Sequence, residues 1–224
     1  MKARIKTWRI VVFFILGLYV IPTQAITYSL ETQVGYSGGP GIHLNAMLNN
    51  IAPSFPFKLR FGIGYTSIAN PGKALDARKI FINNATNGRP EKQGWLWDFR
   101  FDLLRRAPWL KLPKAYFYAG VRRVLFTGNF NFVNGNEDFD IKSSHWGIGV
   151  GVTTSFAINR NFEIFADGGL DYFFPATLYG HDTSYSPDDE NVNPREDFKY
   201  KDADNAINQP KFGLNLLMGL RYYF

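Results

Sequence analysis

The sequence predicts an all-β chain, an eight-stranded antiparallel up-and-down transmembrane β-barrel preceded by a cleaved signal peptide. Three observations carry that reading. The chain ends on an alternating segment, Lys211 to Phe224, in which Phe212, Leu214, Leu216, Met218, Leu220, Tyr222 and Phe224 are all apolar and the residues between them are mostly small or polar. Seven further segments upstream alternate in the same way, and the chain opens on a basic and then apolar leader. A strand sends successive side chains to opposite faces, so each alternating segment has one continuous apolar face. Strands in soluble sandwiches are usually about 5–6 residues long, whereas about 9–11 tilted residues cross a bilayer. The closing segment is therefore sized for a membrane.

The leader comes first. Lys2, Arg4, Lys6 and Arg9 form a basic region, Ile10 to Ile21 an apolar one, and Thr23-Gln24-Ala25 offers small residues for cleavage. The apolar run is shorter than the roughly 20 residues a spanning helix needs. Residues 1–25 are thus expected to be a signal peptide, and 26–224 a single barrel domain. The leader also holds four of the cations behind the net charge of +6, and no acid. Without it the chain is close to neutral, so the pI of 9.4 does not point to nucleic acid. The absence of cysteine excludes disulfides and thiolate metal sites. A mean hydropathy of −0.19 is what alternation produces by averaging.

The first segment sets Tyr28, Leu30, Thr32, Val34 and Tyr36 against Ser29, Glu31, Gln33 and Gly35. A short glycine-rich turn follows at 37–41. The second has Ile42, Leu44, Ala46 and Leu48 on its apolar face; Pro53 and Pro56 then interrupt the ladder because proline donates no backbone hydrogen bond. The third sets Phe57, Leu59, Phe61, Ile63 and Tyr65 against Lys58, Arg60, Gly62, Gly64 and Thr66. After a polar connection at 69–94, the fourth has Trp95, Trp97, Phe99, Phe101 and Leu103 opposite Leu96, Asp98, Arg100 and Asp102.

The fifth segment, Tyr116 to Phe126, is the least regular, with apolar groups on both faces and a break at Arg122-Arg123. Asn134-Gly135 favours a two-residue hairpin turn. Counting back from it places Phe117, Ala119 and Val121 beside Val152, Val150 and Ile148, with Arg122 opposite Gly147. The sixth segment sets Trp146, Ile148, Val150, Val152, Thr154 and Phe156 against Gly147, Gly149, Gly151, Thr153 and Ser155. The seventh sets Phe162, Ile164, Ala166, Gly168, Leu170 and Tyr172 against Glu163, Phe165, Asp167, Gly169 and Asp171. A long polar connection at 175–210 leads to the closing strand.

Short turns thus gather at one end and loops near 37–41, 69–94, 127–143 and 175–210 at the other, the pattern of periplasmic turns and extracellular loops. Tyr65, Trp95, Trp97 and Trp146 fall at the loop-side rim and Trp109, Tyr222 and Phe224 at the turn-side rim, as two aromatic girdles. A soluble barrel also alternates, with its apolar face inward; the leader and the terminal aromatic favour the outward assignment.

With the apolar faces outward, the lumen receives Glu31, Asp98, Asp102, Glu163, Asp167 and Asp171 together with Lys58, Arg60, Arg100, Arg122, Lys211 and Arg221. Isolated buried charges are costly, so this balanced set is expected to pair and to plug a lumen barely wide enough for its own side chains. Inward Gly147, Gly149 and Gly151 leave room for the alternative, a narrow conduit. No cofactor or metal site is indicated. His181-Asp182-Thr183-Ser184, and then Ser144-His145, are the nearest stretches to a catalytic His, Ser and acid, but adjacency establishes no hydrogen-bond geometry. A lipid A-modifying acyl hydrolase or transferase is therefore a minor alternative.

Loop 175–210 is acidic, with eight carboxylates against Arg195, Lys199 and Lys201, and loop 69–94 is basic, with five cations against Asp76 and Glu91. Opposite signs at one rim suggest loops that pair with each other or meet divalent-bridged lipopolysaccharide. Asp188-Asp189-Glu190 lacks EF-hand spacing and is expected to be a solvated acidic stretch.

The last six residues, Gly219-Leu220-Arg221-Tyr222-Tyr223-Phe224, resemble the closing-strand signal of bacterial outer-membrane barrels: Gly219 followed by Tyr222 and Phe224, although Leu217 stands where that signal has a polar residue. With the strand count and loop pattern, the chain resembles the OmpA/OmpX-like and opacity-antigen-like superfamily. The resemblance implies localisation in the bacterial outer membrane, recognition by the barrel-assembly machinery, contact with bilayer and lipopolysaccharide, an unidentified extracellular ligand, and a non-enzymatic structural or adhesin-like role.

Overall fold

A computed structural model describes residues 26–82, 87–135 and 137–224. The expected signal peptide, 1–25, lies outside them. The chain forms β1 (Thr27–Ser37), β2 (Pro40–Asn49), β3 (Phe57–Ile68), α1 (Ala74–Phe81), β4 (Arg89–Arg106), β5 (Tyr116–Val133), β6 (Glu137–Ala157) and β7 (Phe162–Phe173). Two short strands, β8 (Leu178–Tyr179) and β9 (Ser184–Tyr185), and α2 (Tyr200–Ala206) precede β10 (Phe212–Tyr223). Strands β1 to β7 and β10 pair antiparallel in a closed ring: consecutive strands are neighbours, β7 pairs with β10, and β10 returns to β1. Closure leaves no strand edge to carry unpaired backbone groups into lipid.

The faces divide as alternation requires. On β10, Leu216 and Met218 are 57 % and 65 % exposed, while Asn215 and Arg221 are buried. Tyr28, Leu30, Ile42, Leu44, Phe61, Ile148, Val150 and Ile164 continue the outer apolar band around the ring. The β5–β6 register pairs Phe117, Ala119 and Val121 with Val152, Val150 and Ile148, and Arg122 with Gly147, as the hairpin count predicts.

Short turns close one end. Asn159 Oδ1 accepts the backbone N–H groups of Asn161 and Phe162 (both 2.9 Å) between β6 and β7, and a 3₁₀ turn, Pro108–Leu110, carries Trp109 between β4 and β5. At the other end β1 passes to β2 through Gly38, whose φ of +74° lies in the left-handed region that glycine adopts without cost.

The expected loops at 69–94, 127–143 and 175–210 are structured, and here the sequence reading needs correction. Strands β4, β5 and β6 run well beyond the bilayer-sized segments, so 127–143 is mostly a continuing hairpin. Most of its inward residues are apolar: Phe130, Phe132, Phe139 and Ile141, with Phe126 just below them, are buried with Ala77, Ile80 and Phe81 of α1 and with Leu178, Tyr185, Ala203 and Ile207 of the fourth loop. Its outward residues are mostly polar, including Asn129, Asp138, Asp140 and Lys142. Polarity inverts along the same two strands. Below the inversion the outer face is apolar and the inner face charged; above it the arrangement is that of a water-soluble protein. The inversion falls between Leu125 and Thr127 on β5 and between Trp146 and Ser144 on β6, which marks the edge of the apolar belt.

Candidate functional site

The lumen is filled by a connected set of charged and polar side chains. Arg60 donates from Nε to Asp102 (2.9 Å) and from Nη1 to Asp167 (2.7 Å). Arg122 donates from Nη1 to the other oxygen of Asp102 (2.6 Å) and from Nε to Asp171 (2.9 Å). Tyr118 donates to Asp167 (2.8 Å), and its ring lies under the Arg60 guanidinium. Asn215 donates to Asp171 (2.7 Å) and accepts from Ser37 (2.6 Å). A chain of hydrogen bonds therefore runs from Ser37 at the loop-side rim to Tyr118 deep in the barrel. Arg60, Asp102 and Arg122 are wholly buried, and such charges are tolerable only when paired.

A second set lies toward the turns. Arg221 donates from Nε to Glu31 (2.6 Å) and from Nη1 to Glu163 (3.0 Å), Asn45 donates to Glu31 (3.2 Å), and Tyr223 and Lys114 also reach Glu163. Arg100 pairs with Asp98 on its own strand, two residues away and on the same face. Lys58 stands apart from the carboxylates, its ammonium 4.3 Å from the Tyr116 ring. Lys211 leaves the lumen to meet Asp204 of α2 (2.8 Å). Tyr118, Asn45, Asn215, Tyr223 and Lys114 are among the participants that charge balance does not reveal; position on the inward face of their strands identifies all of these but Lys114, which lies in a turn.

The inward glycines of β6 do not open a passage. A Cβ at Gly149 would collide with the Asp171 carboxylate and the Arg122 guanidinium, at Gly147 with the Phe173 ring, and at Gly151 with the Tyr118 phenol. The absent side chains make room for large neighbours, so the space that suggested a conduit is occupied.

Of the aromatic residues, Trp97, Trp146 and Tyr65 are exposed on the outer face beside the polarity inversion, with Tyr65 and Trp97 edge to face at 5.3 Å, and Trp95 is half-buried two positions along β4. Trp109 is exposed at the opposite end, where Tyr222 packs between Phe162 and Phe224. Phe224 N–H donates to the Tyr28 carbonyl (3.2 Å), tying the last residue to the first strand. Gly219 lies against the Thr32 carbonyl and the Phe165 ring, where a Cβ would not fit.

The two histidine stretches do not assemble as their sequences suggest. His181 meets Asp182 (2.8 Å), but both are exposed, and Ser184 is buried with its hydroxyl accepting the Val192 N–H (3.3 Å). Ser144 and His145 point to opposite faces, as neighbours on a strand must. The hydroxyl that reaches His145 is that of Ser143, 2.7 Å from Nε2, while Nδ1 lies 2.9 Å from the Phe174 carbonyl. A carbonyl only accepts, so Nδ1 carries the proton and Nε2 accepts from Ser143. Both side chains are buried, and neither lines the cavity described next. His43 is buried in the lumen 3.8 Å from Asp98.

The loop end is a folded cap. Gly72 and Ile207 form a β-bridge, Lys73 N–H donates to the Ala206 carbonyl (2.8 Å), and Arg195 Nη1 donates to the Ile82 carbonyl (2.6 Å), joining the second and fourth loops. Arg78, buried in α1, pairs with Glu137 of the hairpin (2.7 Å) and lies over the Phe132 ring. Burial raises the Tyr185 phenol above its ordinary pKa, and its hydroxyl donates to the Ile80 carbonyl (3.1 Å). Apolar packing and backbone hydrogen bonds thus join the oppositely charged loops, and the acidic loop is folded, with Asp188, Asp189 and Glu190 exposed on it as expected. The short β1–β2 turn contributes nothing to this core. Beside that turn a cavity of about 510 Å³ lies between cap and lumen.

No protein-family model matches the sequence, and no curated protein sequence matches it. Among solved structures, a major outer membrane protein from Thermus thermophilus superposes with a TM-score of 0.71 at 24 % identity, covering 90 % of this chain and 100 % of that one. Neisserial surface protein A (TM-score 0.38, 14 % identity, 89 % and 96 % of the two chains) and CarO2 of Acinetobacter baumannii (0.40, 14 %, 90 % and 100 %) are also matched, but superpose too loosely to add to the comparison. The closed ring, the outer apolar band and the Thermus superposition agree: the chain has the fold of an eight-stranded outer-membrane β-barrel.

Proposed function

We propose that the protein is an integral bacterial outer-membrane barrel that presents a rigid cap at the cell surface for interaction with an extracellular partner, and that its lumen is closed to solutes. The observation that carries this is the cap. Flexible loops need no buried core, whereas here three connections share one, built on a hairpin that rises from the barrel wall. A rigid scaffold that positions exposed residues such as Asp188, Asp189 and Lys79 suits recognition of a partner. The ion-paired lumen supports the closed reading, and the filled space beside Gly149 argues against a conduit. The buried Ser143–His145 pair offers no substrate a route from the mouth cavity, which weighs against lipid A acyl chemistry.

In this reading the outer band meets the bilayer, the aromatics near Trp97 and Trp109 sit at its two interfaces, and the cap meets lipopolysaccharide. The barrel-assembly machinery reads Gly219, Tyr222 and Phe224. The test has two arms. Cells carrying the protein are compared for adhesion to purified matrix proteins and to other bacteria with cells in which 175–210 is replaced by a short turn; loss of adhesion is expected, and equal adhesion overturns the surface role. The purified barrel in planar bilayers is expected to give no unitary current, and stable current steps overturn the closed lumen.

A further inference from the structure

The cavity beside the β1–β2 turn has a chemical bias that surface interaction does not use. Its floor is the top of the lumen network, with Asp98 and Asp171; its far wall is α2 and the segment after it, with Asp204 and Gln209; Leu96 and Phe126 contribute apolar surface. Its volume of about 510 Å³ falls in the ordinary range for small-molecule sites.

Two lining side chains have polar atoms without partners among the described residues: Asp98 Oδ1 and Gln209 Oε1. Asp98 is 6 % exposed and Gln209 5 %. Each uses its other polar atom elsewhere. Asp98 Oδ2 takes the Arg100 guanidinium, and Gln209 Nε2 donates to Asp204 (2.7 Å) and Tyr200 (3.2 Å). Those engagements hold both side chains in place and leave an oxygen over from each. A buried acceptor without a donor is costly, so the site is built to receive donors. Both leftover atoms are oxygens; neither is an N–H.

The charge on the walls has the same bias. Asp98, Asp171 and Asp204 line the cavity, and Lys211 is the cation among its lining residues, tied to Asp204. Arg100 and Arg122 stand behind their carboxylates and do not line it. An anion entering here would face carboxylates, whereas an ammonium would face groups of opposite charge. The apolar part of the wall, extended by Val124, Phe173 and Ile207, suits a hydrocarbon body. We propose that this cavity is a binding site for a small organic cation, a primary ammonium on an apolar body, held by Asp98 Oδ1 and Gln209 Oε1. The proposal goes beyond the surface role and does not depend on it.

The probe is 2-phenylethylammonium, titrated calorimetrically into the barrel folded in detergent micelles, with empty micelles as the partition control. 2-Phenylethanol and 3-phenylpropionate serve as neutral and anionic counterparts. One saturable site is expected for the ammonium, with the alcohol roughly tenfold weaker or worse, because hydrogen bonds to charged groups are the stronger ones. Two variants test the location. Gln209→Leu removes one acceptor from a residue outside the barrel strands. Gly213→Leu fills the cavity without strain at its first atom, since a Cβ there meets Asp171 and Phe173 at an ordinary 3.6 Å. Each is expected to weaken binding roughly tenfold or more while the folded band in unheated gels keeps its mobility. Equal affinity for the alcohol, preference for the carboxylate, unaltered binding in both folded variants, or no saturable binding beyond the micelle control would each overturn the proposal.

Discussion

At the scale of single residues, the lumen is held chiefly by three arginines, Arg60, Arg122 and Arg221, that each serve two carboxylates. Arg60 bridges Asp102 and Asp167, and Arg122 bridges Asp102 and Asp171. Removing one member strands a charge that lipid and packed protein cannot solvate. Arg122→Ala is therefore expected to destabilise the barrel by about 3–5 kcal/mol, the cost of breaking a buried pair. Urea unfolding in lipid vesicles, followed by tryptophan fluorescence, measures this; a loss below about 1 kcal/mol, the scale of an exposed pair, would contradict a tightly coupled network. Lys58→Ala, away from the carboxylates, is expected to change stability far less. Glycine supplies a second contrast. Gly149→Leu drives side-chain atoms into Asp171 and Arg122 and should sharply reduce the folded fraction, whereas Gly168→Ala, whose nearest neighbour would be the Leu216 side chain at 3.9 Å, should fold normally. Equal yields of the two would mean that the lumen beside β6 is looser than its contacts indicate.

At the scale of elements, the hairpin of β5 and β6 is the unit that joins membrane barrel to cap. The irregularity of its first strand has a physical cause. Up to Arg122 the inward positions are suited to a polar lumen, and from Val124 onward the same positions are apolar because they face the cap core. Ala77 of α1 is wholly buried in that core. Ala77→Asp places an unpaired charge there, which costs several kcal/mol at the order-of-magnitude level. The expected result is protease cleavage within 175–210 while the barrel below stays heat-modifiable; resistance equal to the parent's would show that the cap does not depend on its core. The closing strand β10 makes a separate prediction. Deleting Phe224 removes one backbone hydrogen bond to Tyr28 and one ring contact with Tyr222. Folding of the purified chain into detergent should change little, whereas the yield of inserted barrel in cells should fall if the terminal aromatic is read during assembly. A parallel loss in both assays would assign Phe224 to stability alone.

At the scale of the whole molecule, apolar and polar surfaces are arranged for two solvents. The outer band, with Leu214, Leu216, Met218 and Leu220 on β10 alone exposed, is far larger than the apolar patches soluble monomers tolerate. The purified barrel transferred to buffer without detergent is expected to aggregate, as light scattering would register. A monodisperse folded species in that buffer would require the apolar band to be covered by something other than lipid. The cap, by contrast, presents many polar side chains to water and buries Phe81, Phe130, Phe132, Phe139 and Tyr185, so the two halves of one chain follow opposite rules across the plane of Trp97 and Trp146.

Strand number, the division into inner and outer faces, and the identity of most lumen charges were determined by the sequence alone, because period-2 alternation is a local property and a strand's two faces follow from it. The β5–β6 register was legible for the same reason, given one strong turn at Asn134-Gly135. The choice of partners was not. Arg60 meets Asp167 from 107 residues away, a contact set by how the ring closes and staggers rather than by spacing along the chain. Nor did loop composition foretell the cap: the acidic and basic runs suggested pairing through charge, while the sparse apolar residues between them, Ile80, Phe81, Leu178 and Tyr185, form a core once the hairpin supplies Phe130 and Phe132. The cavity beside the first turn exists because that turn is short and its neighbours are not. That difference is written in the sequence, but only the packing of three separate segments turns it into a cavity whose lining side chains have oxygens left over.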